Sequence, residues 1–173
     1  SKKNAVLRNN YYDKYVLPNH PSRVIFSGGS NSGKTTLLIN MLIKPLYFGG
    51  YYNLIFVFSP NIDADQNWDT LRTLDSRYEN SKVEFMHGYD EEQLKEILDI
   101  QSGLIEEHGI EYSPRILIVF DDLADDKKAM RSGLLEKCFM QGRHKNISVW
   151  VLTQVYNKIP PPIRKNATNL FVW

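Results

Sequence analysis

Gly28-Gly29-Ser30-Asn31-Ser32-Gly33-Lys34-Thr35 fits G-x-x-x-x-G-K-[ST], a loop whose backbone N–H groups cradle phosphate. The pattern has meaning only between a strand and a helix, and both are written beside it. Arg23-Val24-Ile25-Phe26-Ser27 is a short β-branched and aromatic run, the composition of a buried strand. Thr36-Leu37-Leu38-Ile39-Asn40-Met41-Leu42-Ile43 is apolar for two helical turns. Gly28 and Gly33 allow torsions and approaches that a Cβ would block. The loop N–H groups then converge on phosphate oxygens, aided by the helix N-terminus. On this reading Gly28, Gly29, Ser30, Asn31, Ser32, Gly33, Lys34, Thr35 and Thr36 form a nucleotide site. Lys34 reaches the β- and γ-phosphates, and the Thr35 hydroxyl ligates Mg²⁺. A chance glycine turn would match the four fixed positions in roughly one chain in a hundred or fewer.

Outward from this loop, 173 residues fit one domain, with 1–22 as a lead-in and 23–173 as the core. Hydrophobic residues make up 42% and charged ones 24%, ordinary globular values, so a packed core is expected. A formal net charge of +1 gives no whole-chain field for DNA or an acidic membrane, so any nucleic-acid contact needs local patches or assembly. Cys138 is the single cysteine, which excludes an intramolecular disulfide and fits a reducing compartment. With one Cys and histidines at 20, 87, 108 and 144 in no ligand spacing, a zinc site is excluded as well. No apolar run reaches the ~18 residues of a membrane span, and no signal-peptide pattern opens the chain. A soluble intracellular domain is expected. The absence of an initial Met and the apolar final run suggest a piece trimmed from a longer protein.

Strand-like and helix-like stretches alternate along the chain. Asn53–Ser59 is near-continuously apolar, as in parallel sheets. Residues 61–80 space Trp68, Leu71 and Leu74 as one short amphipathic helix, and Lys82–Met86 alternates as a strand. Asp90, with Gln93 three residues on, predicts a capped helix running to Gly109. Leu94, Ile97, Leu98, Gln101, Leu104 and Ile105 form its stripe, and Glu91, Glu92, Glu96, Glu106 and Glu107 its solvated face. Arg115–Asp122 reads as a buried strand, Ala129–Gln141 as one helix and Asn146–Gln154 as another strand. Ile159-Pro160-Pro161-Pro162-Ile163 reads as a stiff connection, and Thr168–Trp173 as the last strand. In the lead-in, Pro18 and Pro21 break the segment before the first strand, which either adds a short edge strand or packs its tyrosines on the core. Tyr11 or Tyr12 against an adenine ring is the functional alternative. The alternation predicts an α/β layered domain.

Chemistry beyond the loop lies at strand ends. Ile118-Val119-Phe120-Asp121-Asp122 has the form of a Walker B strand, apolar residues followed by acid. A carboxylate there holds Mg²⁺ opposite Thr35, and the next acid polarises the attacking water, so Asp121 is assigned to metal and Asp122 to the base. The bland alternative is an Asp-rich turn continuing through Asp125 and Asp126. Gln154 closes the next strand, where its amide can both donate to the γ-phosphate and orient water. Arg143, in Gly142-Arg143-His144-Lys145, is either a finger toward a neighbouring subunit's nucleotide or a surface basic turn. Arg131, with Lys127 and Lys128, is a weaker rival. Lys127, Lys128, Lys137, Lys145, Lys158, Arg164 and Lys165 can form a DNA-facing rim in a ring, or a scatter of solvated charges.

Taken together, Gly28–Thr36, Ile118–Leu123, Gly142–Val149 and Leu152-Thr153-Gln154 resemble the genome-packaging ATPases of large double-stranded DNA viruses and virophages. The poxvirus-type enzymes are among them, within the FtsK–HerA-like P-loop superfamily. The Pro18-Asn19 lead-in and the Ile159-Pro160…Ile163-Arg164-Lys165-Asn166 tail add to the resemblance, which runs from about residue 15 onward. It implies a RecA-like core, a mostly parallel central sheet with helices on both faces. It also implies ATP and Mg²⁺ as cofactors, and a hexameric or pentameric homo-oligomeric ring. Such a ring would drive double-stranded DNA through a capsid or portal-vertex protein in an infected cell. Lys34, Thr35, Asp121, Asp122 and Gln154 carry over by motif position, and Arg143 as the finger. Asp122 stands where many FtsK-like relatives carry Glu, a shorter reach to water. Two alternatives remain: a P-loop kinase acting on a small acceptor, and an ATP-dependent assembly protein without motor activity. The kinase is disfavoured by the lack of an Arg-rich lid and by two groups, Asp122 and Gln154, suited to water.

Overall fold

The computed structural model describes residues 17–123 and 126–173. Its centre is a six-stranded sheet of β1 (Arg23–Ser27), β2 (Leu54–Ser59), β3 (Lys82–His87), β4 (Ile116–Asp121), β5 (Ile147–Thr153) and β6 (Asn169–Val172), in the spatial order β3-β2-β4-β5-β1-β6. Every pairing is parallel. The helices are α1 (Lys34–Ile43), α2 (Asn67–Arg72), α3 (Leu74–Arg77), α4 (Glu91–His108), α5 (Lys127–Arg131), α6 (Gly133–Gln141) and α7 (Pro161–Asn166).

Strand order explains the layering. The steps from β1 to β2 and from β2 to β3 move toward one edge of the sheet and carry α1, α2 and α3. The steps from β3 to β4, β4 to β5 and β5 to β6 move toward the other edge and carry α4 to α7. With right-handed crossovers, opposite directions put the two helix groups on opposite faces. The core divides the same way. Val24, Phe26, Val57, Val119 and Trp150 pack with Leu38, Leu42, Trp68, Leu71 and Leu74. Their strand neighbours Ile25, Phe56, Ile118 and Val149 pack with Leu94, Leu98, Leu135, Phe139 and Ile163. The period of two in a strand thus sorts one apolar run onto two faces.

Several local expectations change. Residues 61–80 form two short helices, α2 and α3, with Trp68, Leu71 and Leu74 all buried as the stripe requires. The helix expected over Ala129–Gln141 is broken at Ser132, whose hydroxyl accepts from Leu134 N and Leu135 N and starts α6 afresh. The same Ser132 hydroxyl donates to Glu91 Oε1 at 3.0 Å, so Glu91 is no free member of the solvated face. The proline run is not a rigid linker. Pro161 and Pro162 occupy the first turn of α7, where a missing N–H costs nothing. Asp90 caps α4 as expected, accepting from Glu92 N and Gln93 N at 3.0 Å each.

Tyr11 and Tyr12 lie outside the described residues. From Leu17 on, the lead-in forms no strand, and His20 anchors it through hydrogen bonds to Ser148 Oγ at 2.8 Å and Asn146 Oδ1 at 2.7 Å. Among the described residues, no helix is long and apolar enough to cross a membrane.

Candidate functional site

Parallel strands end together, so loops following β1, β2, β4 and β5 gather at one edge. A cavity of about 480 Å³ opens there, lined by Ser30 to Thr36, by Asn61, Ala64, Asp65 and Asn67, and by Asp121, Asp122 and Leu152 to Gln154. The glycine loop is its floor. Gly33 takes φ 95° at the N-cap of α1, a torsion other residues resist. At Gly28 a Cβ would lie 2.8 Å from both Ser32 Oγ and Trp173 Cβ, so that turn is closed to any side chain. Lys34 is 9% exposed, and its ammonium donates to the carbonyls of Gly28 and Gly29 at 2.7 Å each. The charge is therefore held inside the loop that would surround phosphate.

Strand order decides the rest of the site. β5 lies between β1 and β4, which brings Gln154 and the two acids to the same opening as the glycine loop. Parity then aims Asp121. Leu117 and Val119 face the α1 side of the sheet, and Asp121 continues that face toward Thr35. Asp122 leaves strand geometry at φ 53°, a left-handed torsion that Asp tolerates better than most residues. Its carboxylate meets Gln154, whose Nε2 donates to Oδ1 at 3.3 Å and Oδ2 at 3.4 Å.

Asp121 sits in an unusual electrostatic setting. It is 8% exposed, and burial is the main force pushing its carboxyl from 3.8 up to about 6. A hydrogen bond from Ser59 opposes the rise, Asp122 and Asp65 reinforce it, and Lys34 opposes it weakly. None of the described ion pairs involves Asp121. A buried carboxylate between two other acids fits a divalent cation, which would relieve its burial cost. Among the described residues, no three His, Cys, Asp or Glu are grouped to hold a metal alone. That donor set suits an ion of the Mg²⁺ type, which Asp121 and the Thr35 hydroxyl would hold together with oxygens of a phosphate ligand.

The sequence reading missed the β2 side of the cavity. Ser59 donates to Asp121 Oδ2 at 2.8 Å, and Asn61, Asp65 and Asn67 line the wall beyond it. Their signal was the change from apolar to polar residues at the end of β2, which means nothing until β2 is known to neighbour β4.

Of the predicted nucleotide-site residues, Gly28 and Gly29 lie behind the lining of the cavity, and Arg143 is far from it. It lies in a 3₁₀ turn, Gly142–Lys145, just before the start of β5, whereas Gln154 follows the end of the same strand. Seven strand residues separate the two ends by about 20 Å. Arg143 is exposed and neighbours Arg23, at the start of β1. Burial, then the positive charge of Arg143, hold the Arg23 guanidinium below its ordinary value. Arg143 is therefore too distant to line the cavity of its own chain. The rival Arg131 ends α5, and Lys127 and Lys128 begin it. None of the three lines the cavity.

Known proteins share this fold and parts of this sequence. The cytoplasmic domain of EssC shares the fold at TM-score 0.59 and 18% identity, over 88% of this chain and 32% of that one. The genome packaging NTPase B204 from Sulfolobus turreted icosahedral virus 2, in complex with AMP, superposes at TM-score 0.62 and 15% identity, covering 90% of this chain and 76% of that one. The DNA packaging protein OPG160 of vaccinia virus (strain Western Reserve) is 28% identical over 155 residues, 86% of this chain and 52% of the relative. An uncharacterized protein, 075L, of Invertebrate iridescent virus 6 is 33% identical over 90 residues, 51% of this chain and 34% of the relative. The chain thus spans about half the length of the packaging-protein relative. The sequence pattern described as "Poxvirus A32 protein" matches residues 9–172, nearly the whole chain, and the chain belongs to that family.

Proposed function

We propose that this chain is the Mg²⁺-dependent ATPase unit of a ring-shaped motor that moves double-stranded DNA into a viral capsid. One observation carries the reading. The Asp121-Asp122 pair and Gln154 share a single cavity with the Ser30–Thr36 part of the glycine loop, although these are three separate stretches of sequence. The names of the relatives, a DNA packaging protein and a genome packaging NTPase, supply the packaging context. We read residues 23–173 as one ATPase unit, 1–22 as its lead-in, and an infected cell as its setting.

The residues divide the work by charge. The loop N–H groups and Lys34 take the β- and γ-phosphates, with Lys34 released from the Gly28 and Gly29 carbonyls. Asp121 and the Thr35 hydroxyl would hold Mg²⁺, which neutralises phosphate charge when bound. Asp122 accepts a proton from water as the water oxygen bonds to the γ-phosphorus and the bond to ADP breaks. The Gln154 amide, already on the Asp122 carboxylate, orients that water. Water rather than a phosphate acceptor is the partner this Asp–Gln pair suits, which sets the kinase alternative aside. Arg143 of a neighbouring subunit stabilises the charge developing on the transferred phosphoryl group.

Phosphate release measured across protein concentration, with and without duplex DNA, tests the reading. The expected rate requires Mg²⁺ and ATP, rises more steeply than protein concentration, and rises again with DNA. A rate proportional to protein and indifferent to DNA would leave a self-contained hydrolase.

A further inference from the structure

We propose that Ser59 is a positioning residue for the metal carboxylate, and that it links Asp121 to the segment after β2. This inference rests on the nucleotide reading above and goes beyond it, because Ser59 belongs to none of the motifs that reading uses. Ser59 is fully buried at 0% exposure, where a hydroxyl costs stability unless both its roles are filled. Both are filled. Its Oγ donates to Asp121 Oδ2 at 2.8 Å and accepts from Asn61 N at 3.2 Å.

Strand register makes the arrangement rigid. β2 pairs with β4 from Leu54↔Ile116 through Phe58↔Phe120, so Ser59 stands beside Asp121 and shares its face. With one carboxylate oxygen held by Ser59, rotation of the Asp121 carboxylate about its Cβ–Cγ bond is restricted. Oδ1 is then the oxygen left for the cation shared with Thr35. The next residues of the segment, Asn61, Asp65 and Asn67, line the same cavity wall. A chain of donors thus runs from the Asn61 amide through Ser59 to Asp121.

A packing serine would behave differently in a binding measurement. The probe is a fluorescent ATP analogue, titrated with Mg²⁺ and again in EDTA, with Mn²⁺ binding read separately by electron paramagnetic resonance. Ser59→Ala is expected to weaken the Mg²⁺-dependent affinity and Mn²⁺ binding about tenfold, the scale of a hydrogen bond to a charged group. The EDTA affinity should stay within twofold of wild type. Ser59→Thr keeps the hydroxyl and should restore most of the loss. In an Asp121→Asn background the Ser59→Ala effect should vanish, because Ser59 acts only through that carboxylate. Equal loss with and without Mg²⁺, or full additivity with Asp121→Asn, would overturn the proposal. Wild-type protein that binds no nucleotide in either condition would instead overturn the ATPase reading, and Ser59 with it.

Discussion

Asp121 and Asp122 are consecutive, yet the backbone places them in different surroundings. Asp121 ends β4 in strand geometry and is buried against Ser59, whereas Asp122 turns out at φ 53° to meet Gln154. Asn tolerates that torsion as Asp does, so Asp122→Asn tests chemistry without disturbing the turn. It should bind ATP normally and lose at least about a hundredfold in turnover, measured as phosphate release at saturating ATP. Unchanged turnover would remove Asp122 as the base. Lys34→Ala should fail at the earlier step, weakening nucleotide affinity in a direct titration. Asp121 makes a pH prediction. Its carboxyl holds a proton up to about pH 6 when folded, against 3.8 ordinarily, so between those values the folded state binds more protons than the unfolded chain. Its contribution to stability therefore falls as pH rises through this window, reaching a cost of about 3 kcal/mol above it. In EDTA, Asp121→Asn should melt above wild type at pH 7.5, and the gap should close toward pH 4. A gap independent of pH would show that burial does not strain this carboxylate. That the acids and Gln154 stand at strand ends was legible, because each closes an apolar run. Ser59 was not, because its meaning depends on which strand lies beside it.

Elements were legible where one periodicity ran unbroken and obscure where a single side chain reset it. Residues 129–141 keep helical apolar spacing, yet Ser132 stops α5 and caps α6, while also bonding Tyr89 and Glu91 from the α4 side. Spacing cannot report that break, since a capping serine leaves the apolar pattern intact. Ser132→Ala should cost about 1–2 kcal/mol, read as a lower urea midpoint with an unchanged slope. A midpoint equal to wild type would mean that the two helices run on as one without the cap. The proline run misled for a related reason. Three consecutive prolines suggest an extended rod, but the first turn of a helix accepts proline, and buried Ile163 supplies the apolar contact that favours helix there. In α1 the reading was short by two residues at its start, because Lys34 and Thr35 were assigned to chemistry although they also form the first helical turn.

At the scale of the whole molecule, the sheet has two chemically distinct edges. The edge where strands end carries phosphate-loop and acid residues. The edge where β1 and β5 start carries Arg23 and Arg143, neither joined to a carboxylate in any described ion pair. Two neighbouring guanidinium groups without an anion repel each other, a cost that a neighbour's phosphates would remove. Arg143→Ala should bind ATP as wild type does, be inactive alone, and depress wild-type activity in mixtures more than dilution predicts. A strictly additive mixture would show that no site is shared between subunits. Motif order offered Arg143 as a finger but could not place it, because only the strand direction sets it at the far edge. β5 joins these edges. All seven of its residues are buried, and it is hydrogen-bonded along both sides, to β4 and to β1. Such a strand can neither stretch nor slip register without breaking both ladders. In a ring assembled as proposed, it would serve as a push-rod: a shift at Gln154 when one γ-phosphate leaves would emerge at Arg143, against the next subunit's fuel, and firing would pass around the ring in one direction.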